Sequence, residues 1–310
     1  MVVADTLDSL FREAVAAIDA GDVPRLERLL AEHPQLVRER LQAPGAWLRD
    51  QVGNALDGFF ARPYLLWFVA EDPVRNGQLP ANAAQAARAV IRAAQRERVE
   101  TLQEQLDYAL RLVAWSWIAR QCGVQLELID ALLDAGARPG ETITHDALIN
   151  GNFGAAARLV ERGAPLTLAA ALCLERWDDA ARIARTAGAH DRQVALALAA
   201  LHGRAEALRR LLALGVDLDA YSTDIYSHAT ALHHAVSSGS LDAVKVLVEA
   251  GAALGIRDRA WNGTPLDWAE HYVHEAKADA AGKPYPEIAA YLREAAAHRP
   301  ERKWSHTESG

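Results

Sequence analysis

The clearest order in the chain is a helical alternation of apolar and polar positions, broken at near-regular intervals by glycine. Leu241, Val244, Leu247 and Val248 recur at the spacing that lines one face of an α-helix, with charged residues between them. Gly239 precedes this stripe and allows a tight turn from an earlier helix, and Gly251 is placed to end it in the left-handed conformation. Thr230 is placed to cap the earlier helix, which runs through Leu232, His233, Ala235 and Val236. The prediction is a pair of short antiparallel helices. Such a pair cannot bury its apolar faces alone and must stack on neighbours.

Sliding this template along the chain finds the neighbours. Residues 194–217 repeat it, with Gly203, then Leu208, Leu211, Leu212 and Gly215. Residues 142–164 repeat it with His145 in the place of His233, and with Gly151, Leu159, Val160, Gly163 and Ala164. Residues 167–190 form a degenerate copy with Arg176 at the expected turn. Residues 12–33 turn at Gly21, residues 102–139 at Gly123, and residues 65–94 fit loosely with a turn near Pro73. Thr264-Pro265-Leu266-Asp267-Trp268-Ala269 opens a last unit that closes near Ala297, with a turn near Val273. The intervals from Gly21 to Pro73 and from Pro73 to Gly123 are the longest. They place insertions at about residues 41–60 and in a long first helix over about 102–121.

The run Thr230-Ala231-Leu232-His233-His234-Ala235, followed by Gly239 and closed by Gly251-Ala252, resembles the ankyrin repeat. The pattern is T-x-L-H-x-A, then G-x-x-x-x-V-x-x-L-L-x-x-G-A. The resemblance is specific there and weak before about residue 120. It implies an all-α fold: an ankyrin-like α-solenoid of about seven or eight helix pairs with insertions in the N-terminal half. The expected organisation is one solenoid over residues 1–297, with divergent repeats to about 100 and more regular ones over 101–297, then a disordered tail over 298–310. The degenerate unit near Arg176 is a candidate weak seam.

Composition narrows the function. The chain has 310 residues, 51% of them hydrophobic and 24% charged, enough to build a core. Its net charge of −8 argues against a nucleic-acid binder that works by bulk charge. Cys122 and Cys173 lie in apolar, helix-like stretches and read as buried free thiols in a reducing compartment. The N-terminus lacks the basic and apolar regions of a signal peptide, and the longest apolar runs, such as residues 64–70, are too short to span a bilayer. These features predict a cytoplasmic protein without membrane attachment.

The family resemblance implies binding by the concave palm of first helices and by the loops, or fingers, between repeats. The richest stretch is C-terminal. One long polar finger covers residues 217–228, including Tyr226 and His228, and the next holds Arg257, Asp258, Arg259, Trp261 and Asn262. His234, Ser237, Trp268 and His271 occupy palm positions of the motif. Tyr226, His228, His234, Arg259, Trp261, Trp268 and His271 are therefore the expected partner-binding residues, since exposed Tyr, Trp, Arg and His typify binding hot spots. His228, His233, His234, His271 and His274 also raise a metal site. Zinc needs three or four converging ligands, however, and His233 and His145 sit where the family's histidine pins neighbouring loops. No metal and no cofactor is expected. Asp267, in the motif-histidine place of the last unit, reads as a loop-pinning acceptor.

Trp47, Phe59, Phe60, Tyr64, Trp67, Phe68, Trp115 and Trp117 form a second, N-terminal group. They read as an enlarged core, with an apolar small-molecule pocket as the other option. Trp67 and Trp117 take the motif-histidine place, so aromatic packing is expected there instead of polar pinning. The turn-rich stretch 72–80 reads as a helix link, with a lid as the alternative. Nucleophile-elbow, phosphate-loop and dinucleotide-loop signatures are missing, so no catalytic residue is nominated. The expectation is a non-enzymatic scaffold for a protein partner. The alternative is a small-molecule or catalytic pocket in a modified frame.

Overall fold

In a computed structural model, residues 6–222, 224–275 and 282–298 are described, and among them the fold is all-α. The chain forms two compact units, Met1–Leu166 and Thr167–Gly310. The expected tail beyond His298, and part of the link between the last two helices, lie outside the described residues.

In the first unit, α1 (Leu7–Asp19) and α2 (Val23–Glu32) form the opening pair. Thr6 caps α1 by accepting the Ser9 N–H at 3.3 Å, and Leu10, Phe11, Ala14, Val15 and Ile18 form its buried face. Short α3 (Gln35–Arg38) and α4 (Ala46–Val52) follow, then a 3₁₀ turn at Gly53–Asp57. The predicted insertion at 41–60 is thus small helical pieces rather than a long loop. The second pair joins a 3₁₀ helix, Leu65–Ala70, to α5 (Ala83–Arg96).

The expected turn at Pro73 is instead a pinned loop. Glu71 is buried, and its Oε1 accepts the backbone N–H groups of Arg75 (2.8 Å), Asn76 and Gly77 (2.9 Å). The Arg75 guanidinium forks onto Asp19 at 2.9 and 2.8 Å and donates to the Phe68 carbonyl at 3.0 Å. Those bonds fasten residues 75–77 to Glu71 and to α1, an arrangement that suits a link.

The long helix expected over 102–121 is two helices, α6 (Leu102–Trp115) and α7 (Trp117–Gln121). Ser116 breaks it by turning extended and capping α7, its Oγ accepting the Ala119 N–H at 3.1 Å. The freed carbonyls are met by side-chain amides, Asn150 donating to Trp115 at 2.9 Å. Gln125 donates to Val113 and Ser116, and Asn152 donates to Ala114 and Trp115, at 2.8–3.0 Å. Next come α8 (Gln125–Asp134), α9 (Ile143–Ile149) and α10 (Phe153–Glu161). First helices stack on first helices, since α6 packs on the Leu65–Ala70 segment and on α9. Second helices do likewise, α5 lying between α2 and α8.

The second unit repeats the plan more regularly: α11 (Leu168–Cys173) with α12 (Trp177–Ala184), and α13 (Ala189–Leu201) with α14 (Ala205–Leu212). Then follow α15 (Ala231–Ser238) with α16 (Leu241–Glu249), and α17 (Pro265–Glu275) with α18 (Tyr285–His298). Helices α11, α13, α15 and α17 stack in series, and α14, α16 and α18 form the second row. Four pairs in each unit agree with the predicted total. The left-handed residue between α11 and α12 is Glu175 (φ 59°), one place before the Arg176 expected from the pattern.

Candidate functional site

The two fingers around α15 and α17 are built from a small set of polar locks. Thr230 N–H donates to His233 Nδ1 at 3.3 Å, so the ring proton sits on Nε2 and reaches the Gly263 carbonyl at 3.0 Å. One imidazole thereby ties the start of its own helix to the next finger. Burial lowers the His233 pKa, opposed by the bond to Gly263 and the nearby Asp258. In the following repeat Asp267 closes the same kind of cap. Its Oδ2 accepts the Thr264 N–H at 2.8 Å, and its own N–H donates to Thr264 Oγ1 at 3.2 Å. The Thr264 backbone donor lowers the Asp267 pKa most, against burial, with the Thr264 hydroxyl and the charge of Arg257 acting in the same direction.

Asp258 organises the second finger. Its Oδ1 accepts the N–H groups of Ala260 (2.8 Å) and Trp261 (2.7 Å), and its Oδ2 accepts Gly263 N–H (2.8 Å) and Trp268 Nε1–H (2.9 Å). Burial works to raise the Asp258 pKa, but these donors outweigh it and hold the carboxyl at about 2. The fit is close at Gly263, where a Cβ would meet Trp268 Cδ1 at 3.1 Å and Asp258 Oδ2 at 3.2 Å.

On this frame the aromatic rings gather. Trp261 is 72% exposed. Its ring lies 5.6 Å from Trp268 and 5.1 Å from His228, both edge-on, and His228 lies 6.1 Å from Trp268. Tyr226 is 48% exposed and stands 6.2 Å from His228 and 6.1 Å from His234. The Arg259 guanidinium stacks over Tyr221 at 3.8 Å, and the Tyr221 hydroxyl donates to the Arg257 carbonyl at 2.7 Å. The structure thus brings Tyr226, His228, Trp261 and Trp268 into one ring cluster, with Arg259 on the same finger.

Two of the expected residues lie elsewhere. His234 is buried at 2% exposure beneath Tyr226, its Nε2 3.2 Å from Ser222 Oγ. Burial, then the adjacent His233 and His228, push its pKa down to about 3, so it is a neutral support and not part of the surface. His271 is exposed one turn further along α17, where its ring meets Tyr272 at 5.8 Å. Among the described residues, no three His, Cys, Asp or Glu side chains converge as a metal site would require. Asp258 was not singled out by the sequence pattern. The signal was an Asp set ahead of a Gly-ended turn, since Asp side chains hydrogen-bond backbone N–H groups just downstream.

The N-terminal aromatics pack together. Phe60, Tyr64 and Tyr108 surround Trp67 at 6.2, 5.4 and 4.4 Å, and Phe68 meets Phe60 at 5.2 Å. Trp67 is buried and its indole N–H has no hydrogen-bond acceptor among the described residues. Trp117 departs from the expectation of aromatic packing: it is 42% exposed on the short α7. Asp72, beside this group, is raised to about 6 by burial and by the charge of Glu71.

Residues 181–258 match the family model described as ankyrin repeats (3 copies). The protein carries ankyrin repeats. Two similar solved structures are the ankyrin repeat domain of Bcl-3, titled a unique member of the IkappaB protein family, and the human ASB11 ankyrin repeat domain. The first is 19% identical, covers 94% of this chain and 99% of that one, and has a TM-score of 0.35. The second is 19% identical, covers 69% and 98%, and has a TM-score of 0.34. Ankyrin repeats are generally protein–protein interaction modules. Among the described residues, no helix is long and apolar enough to cross a membrane.

Proposed function

We propose that the protein is a non-enzymatic recognition scaffold that binds a protein partner through the fingers and palm of its C-terminal repeats. The observation that carries this reading is Trp261. A large indole, 72% exposed, is costly to present to water, and here it is fixed rather than loose. Asp258 bonds its backbone, and Trp268 and His228 back its ring. Rigid aromatic anchors of this kind dominate interface energetics. Tyr226 and His228 widen the same face.

The test uses Trp261→Ala, because Trp268 also serves the Asp258 lock. A polypeptide that copurifies with the wild-type protein from its source cells should be lost from the variant, with helix content and thermal midpoint unchanged. Copurification at the wild-type level would take the finger out of the interface.

A second reading, a small-molecule site in the N-terminal unit, is favoured by one feature. A groove of about 570 Å³ is lined by Tyr108, Arg111, Arg138, Pro139 and Ile143, and the unpartnered Trp67 indole lies behind Tyr108. A stoichiometric small adduct in native mass spectrometry, lost on Tyr108→Ala, would favour it.

A further inference from the structure

We propose that the finger at residues 253–264 takes an acidic segment of the protein partner, with a carboxylate on the Arg259 guanidinium and a neighbouring apolar side chain on Trp261. This inference rests on the reading of that finger as the partner-binding surface.

Arg259 is held through both its backbone and its side chain. Its backbone N–H donates to the His228 carbonyl at 2.8 Å, which ties it to the preceding finger. Its guanidinium lies over the Tyr221 ring at 3.8 Å, and that ring is anchored through its hydroxyl to the Arg257 carbonyl. The flat face of the guanidinium is therefore occupied. Its in-plane N–H edge has no acceptor among the described residues, and the residue is exposed. A stacked guanidinium has already given up much of its rotamer freedom, and its planar fork matches a carboxylate with two parallel bonds.

The carboxylates of the two fingers are each directed to other groups of the protein. Asp258 accepts four N–H groups. Asp219 accepts the Ala253 N–H at 2.8 Å, and Asp217 accepts the Asp219 N–H at 3.0 Å. Asp224 pairs with His190 at 2.9 Å. Asp267, at the base of the finger, caps α17 and lies 3.6 Å from Arg257. Among the described residues no carboxylate occupies that edge, which leaves it open to an acceptor from a partner. Trp261 is two residues on, so its Cα is within about 7 Å of that of Arg259. A single short segment can reach both, with its acidic residue a few positions from its apolar one.

The test is selection of random short peptides by phage display on the full-length protein, with counter-selection on Trp261→Ala. Enriched peptides should carry Asp or Glu within about three residues of a bulky apolar side chain. Arg259→Gln should weaken their binding by about tenfold, and Arg259→Lys should not restore it, since lysine keeps the charge but not the fork or the stack. Peptides that depend on Trp261 yet lack acidic residues, or that bind Arg259→Gln or Arg259→Lys as well as wild type, would overturn the acidic assignment and leave the surface standing. Failure to enrich any Trp261-dependent peptide would sink both.

Discussion

At the scale of single residues, the fingers depend on groups whose charge state is set by burial in one case and by hydrogen bonds in another. His234 is neutral in the fold, with its pKa pushed down to about 3, whereas an unfolded histidine titrates near 6.5. As pH falls below about 6.5 the unfolded chain takes up a proton that the folded chain refuses, so stability present above that pH is lost progressively towards pH 3. Between pH 7.5 and pH 4.5 this one residue should cost on the order of 2–3 kcal/mol. Urea midpoints at those two pH values measure it, and His234→Gln should flatten the drop. Asp258 acts in a lower window. Its pKa of about 2 lies below the unfolded value, so its contribution is complete above about pH 4 and is lost as pH falls through 2. Asp258→Ala removes the acceptor of four N–H groups and should destabilise by about 2–4 kcal/mol, read by urea unfolding at pH 7. Trp261 was legible in the sequence as an exposed aromatic in a finger. The burial of His234 was not, because its partner Ser222 comes from a finger twelve residues upstream whose path no periodicity describes.

At the scale of elements, apolar period and turn glycines located the helix pairs, and they failed where the turn chemistry was not glycine. Glu175 takes the left-handed position between α11 and α12 that Gly203 takes between α13 and α14. Glycine adopts that conformation without strain, while a residue with a Cβ does not. Glu175→Gly should therefore stabilise the protein by about 0.5–1 kcal/mol, since the exposed pair of Glu175 with Arg204 offsets little. Gly203→Ala should do the reverse by a larger margin, because its Cβ would meet Ser240 Cβ at 2.5 Å and Ser238 Oγ at 2.9 Å. Thermal unfolding of the two variants should move in opposite directions, and a shift of the same sign would refute the equivalence of the two turns. The break at Ser116 was hidden for a different reason. The amides that meet the freed carbonyls include Gln125, 9–12 residues away, and Asn152, 36–38 residues away, both beyond the few residues that a helix-cap pattern spans.

At the scale of the whole molecule, the family match and the finger cluster fall in the same unit. The match over 181–258 lies inside Thr167–Gly310, and so do Tyr226, His228, Arg259, Trp261 and Trp268. That unit holds four helix pairs, and about three stacked repeats are enough to build a continuous core. Its core is densely apolar, with Leu172, Leu196, Leu208, Leu232, Val244, Leu247 and Ile288 at 2% exposure or less. Repeat stability is set by neighbouring units rather than by distant ones. A fragment of residues 167–310 should therefore be helical by circular dichroism and unfold in one cooperative transition. It should also keep any partner binding that the full chain shows through Trp261. Cooperative unfolding with lost binding would place part of the recognition surface in the first unit, where the groove beside Tyr108 is the place to look. A fragment without a cooperative transition would instead show that the regular repeats draw on the divergent ones for their stability.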